Sequence, residues 1–433
     1  DMFNEGVDIP EIDTILFLRP TESLTIFLQQ FGRGLRKVKG KTHLTVLDFV
    51  GHSRAEFNYA DRFRALTGRT SMSIREEVER DFPHLPLNCH IQLEEKAKAY
   101  VLENIKGYIN GFRKNRIIST IQHFSKDYSE PLSLSSFLRL THVPIEKLYN
   151  GTTWNELLYL AGVEKSMSGM NIELSRAVNK KWLSTDSHSY FSFIHRLASC
   201  KFRIRESMLT DKEKKMALML YYDLYDAAGV YGSLQDMFDR LSDDRMFVDE
   251  VCEVTAYLMD HCNALEKDDN SSLNNVMPLK LHGVYTKSQI QVAIGTSTIA
   301  KKSSNREGCE RNVLNGVALE AMFVDIIKDR EIGSNTNYND FAQSSYKFHW
   351  ETQNKVSPES LTGQKYIRQT QTMLLFVRKQ AKAADNPTRT MGYVYLGEVK
   401  LESYSGSRPM QIVWLLKDPM PGEVYEYAVK YVV

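Results

Sequence analysis

The sequence predicts a multidomain chain of α and α+β class. A short α/β segment covers 1–52, a helical region 53–275, and a β-rich, barrel-like domain 276–433. Three observations predict this. The first segment alternates strand-length apolar runs with a helical one, which is α/β order. The middle stretch carries apolar residues at helical spacing, with charged residues on the other face. The last third replaces that periodicity with β-branched and aromatic runs, separated by clusters of Gly, Pro and Ser.

The elements follow in order. Thr14-Ile-Leu-Phe-Leu18 reads as a strand over 14–18, a Gln-rich amphipathic run as a helix over 23–35, and the apolar run ending at Val50 as a strand over 42–50. A lobe of this layout needs on the order of 150 residues to close a core, so its remainder is expected upstream. "LEEKAKAYVLENIKGYINGF" and "LTDKEKKMALMLYYDLYDAAGV" are helices by spacing. Between them, Pro144 and the Asn150-Gly151 pair break the chain into shorter helices. The basic residues Arg113, Lys114 and Arg116 fit a solvated helix face. The polar, turn-rich stretch over 265–275 marks a boundary. Beyond it, Thr286-Lys-Ser-Gln289 is a capping box opening a short helix. "TMLLFVRKQ", "MGYVYLGEVKL" and "MQIVWLLKD" are strands of a partly open barrel or curled sheet.

Composition is that of an ordinary globular chain of 433 residues, 42% hydrophobic and 25% charged. A net charge of +1 gives no global field, so any nucleic-acid contact must use local patches. No apolar run reaches the roughly 18 residues of a transmembrane helix, and no membrane partner is expected. The cysteines, Cys89, Cys200, Cys252, Cys262 and Cys309, form neither a disulfide framework nor a zinc pattern. No metal ligand set and a reducing cytoplasm are the expectations.

Two stretches carry chemistry. In the first, Gln29, Arg33 and Arg36 are spaced to share one helix face. Arginine offers a planar, permanently charged fork where negative charge builds on a transferred phosphoryl group. Gly32 and Gly34 would keep that surface open. Together with "FNEGVDIP" from Phe3, this run resembles motifs VI and V of superfamily 2 helicases, in the restriction-type and DEAD/DEAH-like branch. The resemblance implies a remnant of the second RecA-like lobe over 1–52. It places Gly6 near the cleft or the nucleic-acid backbone and Asp8 near the nucleotide ribose. It makes Arg33 and Arg36, with Gln29, the catalytic group that reaches ATP. The ATP and its Mg2+ would be held mainly by a lobe outside this chain. "GLRKVKGKT" from Gly34 fails as a phosphate loop: its first Gly is one residue too far from Gly40-Lys41-Thr42, and a strand follows where a helix is needed. With no phosphate loop and no Asp-Glu-x-His box, the chain alone is not expected to hydrolyse ATP.

The second stretch is "YKFHWETQNKVSPESLTGQKYIRQTQTMLLFVR" from Tyr346. With Tyr338, Asp340 and Phe341 upstream, and Gly406, Arg408, Pro409 and Trp414 downstream, it resembles the uncharacterised domain that follows the helicase core in a family of bacterial proteins. That architecture includes ATP-dependent, modification-dependent (type IV) restriction endonucleases. The resemblance implies duplex DNA as partner, recognition of 5-methylcytosine by this domain, and a nuclease domain upstream. His349, Trp350, Gln353 and Tyr366 have the ring, imidazole and amide groups that read a flipped base. Arg368, Arg378 and Arg408 could hold phosphates. In a β-rich domain, rings such as Phe348, Phe376 and Trp414 also suit a core. Trp350 shares its face with Phe348, so His349 is the better candidate for exposure. Two other readings stay open: a protein-interaction or oligomerisation module without DNA readout, and a metal-dependent nuclease at Asp385, Glu398 and Lys400. A homodimer and an RNA substrate also stay open.

Overall fold

The computed structural model describes residues 9–18, 24–49, 59–67, 74–83, 85, 89–111, 113–127, 130–141, 143–269, 273–305, 307–327, 339–383 and 386–429. It divides into two compact units, Asp1–Arg113 and Lys114–Val433.

The first unit begins with β1 (Thr14–Phe17), α1 (Leu24–Gly34) and β2 (Thr45–Asp48). The strands pair in parallel, Thr14 opposite Thr45 and Phe17 opposite Asp48. Parallel strands need a crossover, and α1 supplies it. The helix lies on the face that carries Ile15 and Phe17, with Phe27 buried 5.2 Å from the Phe17 ring. It packs closely because residue 34 has no side chain: a Cβ there would sit 2.6 Å from Leu44 and 2.7 Å from Ile15. Gly34 is thus a packing glycine, and it is Gly32 that lies open. The opposite face carries Leu16, Leu18, Leu47 and Phe49, all exposed. Three helices follow, α2 (Tyr59–Thr67), α3 (Ile74–Glu79) and α4 (Glu95–Gly111), closed around Phe63, Val78, Phe82, Val101 and Ile105.

The second unit opens with nine α-helices among the described residues. They are α5 (Lys114–Asp127), α6 (Leu134–Thr141), α7 (Ile145–Leu148), α8 (Trp154–Leu160), α9 (Asn171–Lys180), α10 (His188–Ser199), α11 (Asp211–Tyr225), α12 (Leu234–Ser242) and α13 (Arg245–Asp260). Carboxylates of α13 tie this bundle together. Orphan N–H groups at helix starts need acceptors, and Glu253 accepts from the first residue of α6, Leu134 N, at 2.6 Å. Glu250 accepts from Trp154 N and Asn155 N at the start of α8, at 2.7 and 2.9 Å, and from the Tyr149 hydroxyl at 2.7 Å. Burial pushes the Glu250 carboxyl up to about 7, against these hydrogen bonds. Asp223 of α11 is likewise buried, between Trp182, Tyr190 and Gln289, and desolvation raises it to about 6.

Next come β3 (Val284–Tyr285), α14 (Lys287–Ala293), β4 (Cys309–Leu314), β5 (Val317–Ile327), β6 (Phe341–Ser344), β7 (Lys347–Glu351), α15 (Leu361–Arg368), β8 (Thr372–Gln380), β9 (Tyr393–Ser405), β10 (Gln411–Leu416) and α16 (Gly422–Ala428). The Thr286–Gln289 capping box forms as expected, each side chain accepting from or reaching the other's backbone N–H. The sheet runs β4-β5-β8-β9-β10-β7-β6, with β3 on β9. Only β5 and β8 pair in parallel; the other ladders are antiparallel. The β4–β5 hairpin turns through Asn315 and Gly316, both at positive φ (49° and 80°), as a tight two-residue loop requires.

The barrel-like expectation is corrected here. β4 and β6 end the strand order, so the sheet is open and mixed. Its central strand β8 is buried along almost its whole length, because both faces are covered. On one face α15 and α16 enclose Trp350, Tyr366, Trp414 and Leu375. On the other, Phe323, Phe376 and Tyr395 stack at 5.6 and 4.8 Å. A boundary was expected over 265–275. Instead both sides of it fall in one compact unit, joined by paired backbone bonds between Asp186 and Val284 at 3.0 and 2.8 Å. Among the described residues no helix is long and apolar enough to cross a membrane.

Candidate functional site

In the first unit Gln29 is exposed on α1 and Arg33 is half-buried one turn later. Arg36 does not complete the same helix face as expected, because α1 ends at Gly34 and Arg36 lies in the exposed turn beyond it. The carbonyls left at the end of a helix need donors. Lys41 supplies one: its ammonium bonds the carbonyl of Gly34, that of Arg36 at 3.1 Å and that of Pro10 at 3.4 Å. Lys41, in the stretch that only superficially resembles a phosphate loop, is therefore a clamp that fixes the backbone bearing Arg36. Sequence reading missed a second support, Arg62. Its guanidinium lies 3.8 Å from the centre of the Phe27 ring and 3.1 Å from Asp48. At 5% exposure, burial lowers its pKa against the pull of Asp48. Gly6 and Asp8 lie outside the described residues.

In the second unit the ring-rich run supplies core. Trp350 is 7% exposed and Tyr366 is 3% exposed, edge to face at 5.6 Å, with Trp414 packed on both. His349 is not on an open face either. Its strand β7 has neighbours on both sides, its ring stacks 4.7 Å from Phe341, and Nδ1 lies 2.8 Å from the Asn339 carbonyl. Arg378 is likewise a structural cation. It donates to both oxygens of Asp325, across the strand pair, at 2.7 and 2.8 Å. It also donates to the Met391 carbonyl at 3.1 Å and stacks over Tyr393 at 4.2 Å. Arg368, at the last turn of α15, and Arg408, in the turn before β10, are exposed; Gln353 is half-buried and donates to Glu307 at 3.0 Å. Glu398 and Lys400 occur two apart on β9, opposite Leu374 and Leu415. Asp385 lies outside the described residues, and no three His, Cys, Asp or Glu side chains among those described are grouped to hold a metal ion.

Gln353 and Tyr366 each reach a feature that no sequence motif marks. Between the loop after α14 and edge strand β4 lies an open groove of about 780 Å³, lined by Thr298, Lys301, Ser304, Asn305, Arg311 and Asn312 among others. Gln353 touches its rim through Glu307. Tyr366 donates to the fully buried Glu320 at 2.8 Å, and Glu320 also accepts from Arg311 at 2.6 and 3.2 Å. These bonds from Glu320 raise the Arg311 pKa further, so its charge is permanent. The only sequence signal for the groove is a run of Ser, Thr, Asn and Lys, which any surface loop could carry.

Residues 279–428, about a third of the chain, match a family described as a domain of unknown function, DUF3427. The groove lies inside that span. A 52-residue stretch, 12% of the chain, is 48% identical to 8% of IRC3 from Saccharomyces cerevisiae, whose name carries the words ATP-dependent helicase. Over 157 residues, 34% of the chain, it is 26% identical to 24% of the ATP-dependent rRNA helicase SPB4 from Scheffersomyces stipitis. The chain thus spans less than a quarter of the length of either relative.

Proposed function

We propose that this chain is the C-terminal part of an ATP-dependent superfamily 2 helicase or translocase, working on duplex DNA within a restriction or defence system. The observation that carries the reading is the β1–α1–β2 unit. A parallel strand pair is ordinarily covered on both faces. Here one face is covered by α1, while the other presents Leu16, Leu18, Leu47 and Phe49 to solvent. This supports a fragment of a larger α/β lobe, and the 48% identity to a helicase-named protein supports its kind. Arg33 and Arg36 would reach the phosphates of ATP held with Mg2+ mainly by another lobe, with Gln29 beside them, Asp8 near the ribose and Gly6 near the cleft or the nucleic-acid backbone.

The second unit would hold the DNA. Gln353, Arg368 and Arg408 remain as surface contacts, whereas Trp350, Tyr366 and Arg378 serve the core. Reading 5-methylcytosine would then need stacking planes other than those two rings. The test is made in the complete protein, with its other lobe. Arg33→Ala and Arg36→Ala should each lower DNA-stimulated ATP turnover by about 10³-fold, with ATP binding retained. Turnover within a few-fold of wild type in both variants would overturn the role given to these arginines. DNA binding by the second unit should weaken steeply with salt, as phosphate contacts release counterions. A protein-interaction module would show no such slope.

A further inference from the structure

The groove beside β4 is built before any ligand arrives. Its outer wall, the loop 295–305, is tied to the helical bundle at several points. The Tyr222 hydroxyl donates to the Thr298 carbonyl at 2.6 Å and lies 3.1 Å from that of Lys301. Gly229 N donates to the Ile299 carbonyl at 2.8 Å. Lys302 bonds the Asp226 carbonyl at 2.6 Å and pairs with its carboxylate at 3.1 Å. Within the loop, Ser303 N donates to Ser297 Oγ at 3.0 Å. The inner wall is equally fixed, since Asn312 Nδ2 donates to the Ile294 carbonyl at 2.7 Å and Glu320 holds Arg311 by two bonds.

Two cations face this groove with donors to spare. Lys301 is exposed, and its ammonium has no partner among the described residues. The Nε and Nη2 atoms of Arg311 are engaged by Glu320 and Tyr366, while Nη1 has no partner among the described residues. A fixed guanidinium loses little freedom on meeting a ligand. The acids are disposed differently. Glu310 is buried and accepts from Gln291 and Ser303, and Glu307 on the rim accepts from Gln353. Thr298, Ser304 and Asn305 add hydroxyl and amide groups. No aromatic ring lines the groove among the described residues, so a flipped base would find no stacking plane there. Hydroxyl, amide, Lys and Arg donors without rings are the inventory that meets sugar-phosphate backbone.

We infer that this groove grips the phosphodiester backbone of the bound nucleic acid and sets the register of the unit without reading sequence. The inference rests on the proposed DNA-binding role and names the place where that role is exercised. The test uses the full chain and duplexes of two unrelated sequences across a salt series. Lys301→Ala is expected to weaken both duplexes several-fold and equally. It should also lower the slope of log affinity against log salt by about one, while Lys301→Arg restores both. Arg245→Ala, at an exposed side chain that opens α13 and does not line the groove, serves as the control and should leave the slope unchanged. An unchanged slope in Lys301→Ala, with wild-type binding intact, would overturn the groove alone. A loss confined to one sequence would overturn the backbone role. Failure of the wild-type chain to bind any duplex would remove the DNA-binding reading itself, and this inference with it.

Discussion

Gly363 sits inside α15, where alanine would ordinarily be the better residue. Helix propensity favours Ala over Gly by about 1 kcal/mol. A Cβ at this position, however, would lie 1.9 Å from the Ser357 carbonyl oxygen and 2.9 Å from Met410 Sδ. Normal contact begins near ~3.5 Å, and the clashing atom is backbone, so no rotamer change relieves it. The helix would have to back away from the 357–360 turn. That movement pulls Tyr366 from Glu320 at 2.8 Å and loosens its edge contact with Trp350. Overpacking typically costs 1–3 kcal/mol, occasionally more, so the clash outweighs the propensity gain. Gly363→Ala should therefore destabilise the second unit by about 2 kcal/mol. All four tryptophans, Trp154, Trp182, Trp350 and Trp414, belong to this unit, so urea unfolding followed by their fluorescence reports on it selectively. Gly32→Ala, in α1, meets nothing within 4 Å and should instead protect the amides of α1 by up to about 1 kcal/mol in hydrogen exchange. A Gly363→Ala chain as stable as wild type, or more so, would refute the packing argument.

Acidity offers a second check. The carboxyls of Glu250 and Asp223 are raised in the folded chain to about 7 and about 6, from 4.5 and 3.8, by burial above all. The native state therefore keeps protons that the unfolded chain has released, and these two groups lower stability as pH rises from about 4 to about 7. For Glu250 alone the difference approaches about 3 kcal/mol at 1.36 kcal/mol per pH unit. Glu250→Gln should flatten the fall in urea midpoint between pH 5 and pH 8, and an unaltered profile would contradict the assignment. Arg378→Ala removes the bidentate cation from the half-buried Asp325, which keeps the Tyr393 hydroxyl at 3.1 Å, and should cost about 2 kcal/mol. If the same variant left the fold intact but abolished DNA binding, Arg378 would be a phosphate contact after all.

Much of the fold is legible because its periodicities are local. The strand–helix–strand order of the first unit, the helices of the middle region and the capping box at Thr286 all follow from spacing that a short window contains. The division into units was not legible at 265–275, because the backbone pairing of Asp186 with Val284 joins residues nearly a hundred positions apart. The i,i+3 spacing puts Arg36 on the α1 face, but the helix stops two residues short of it, and the clamp on its end is Lys41, beyond the helical pattern. Arg62 was missed for a related reason: its partners Phe27 and Asp48 come from elements that precede it.

The ring-rich run shows why residue type alone selects the wrong surface. Alternation along a strand marks an exposed face only if one face of the sheet stays wet. β7 lies between β10 and β6, and α15 covers the side that carries Trp350. His349, on the other side, is covered by Phe341 and held by Asn339. Aromatic and cationic side chains then become core rings and internal ion pairs, as Trp350 and Arg378 do. The groups left to meet a partner lie on an edge strand and its neighbouring loop. There the side chains are short, polar and unremarkable in composition, and their significance comes from what fixes them. Arg311 matters because Glu320 and Tyr366 aim it, and Lys301 because Tyr222 and Asp226 hold the loop that carries it. Glu320 faces Arg311 across the β4–β5 hairpin, but Tyr366, Tyr222 and Asp226 are separated from the groups they fix by tens of residues in sequence, so a candidate site of this kind emerges only when the sheet and the helical bundle are assembled together.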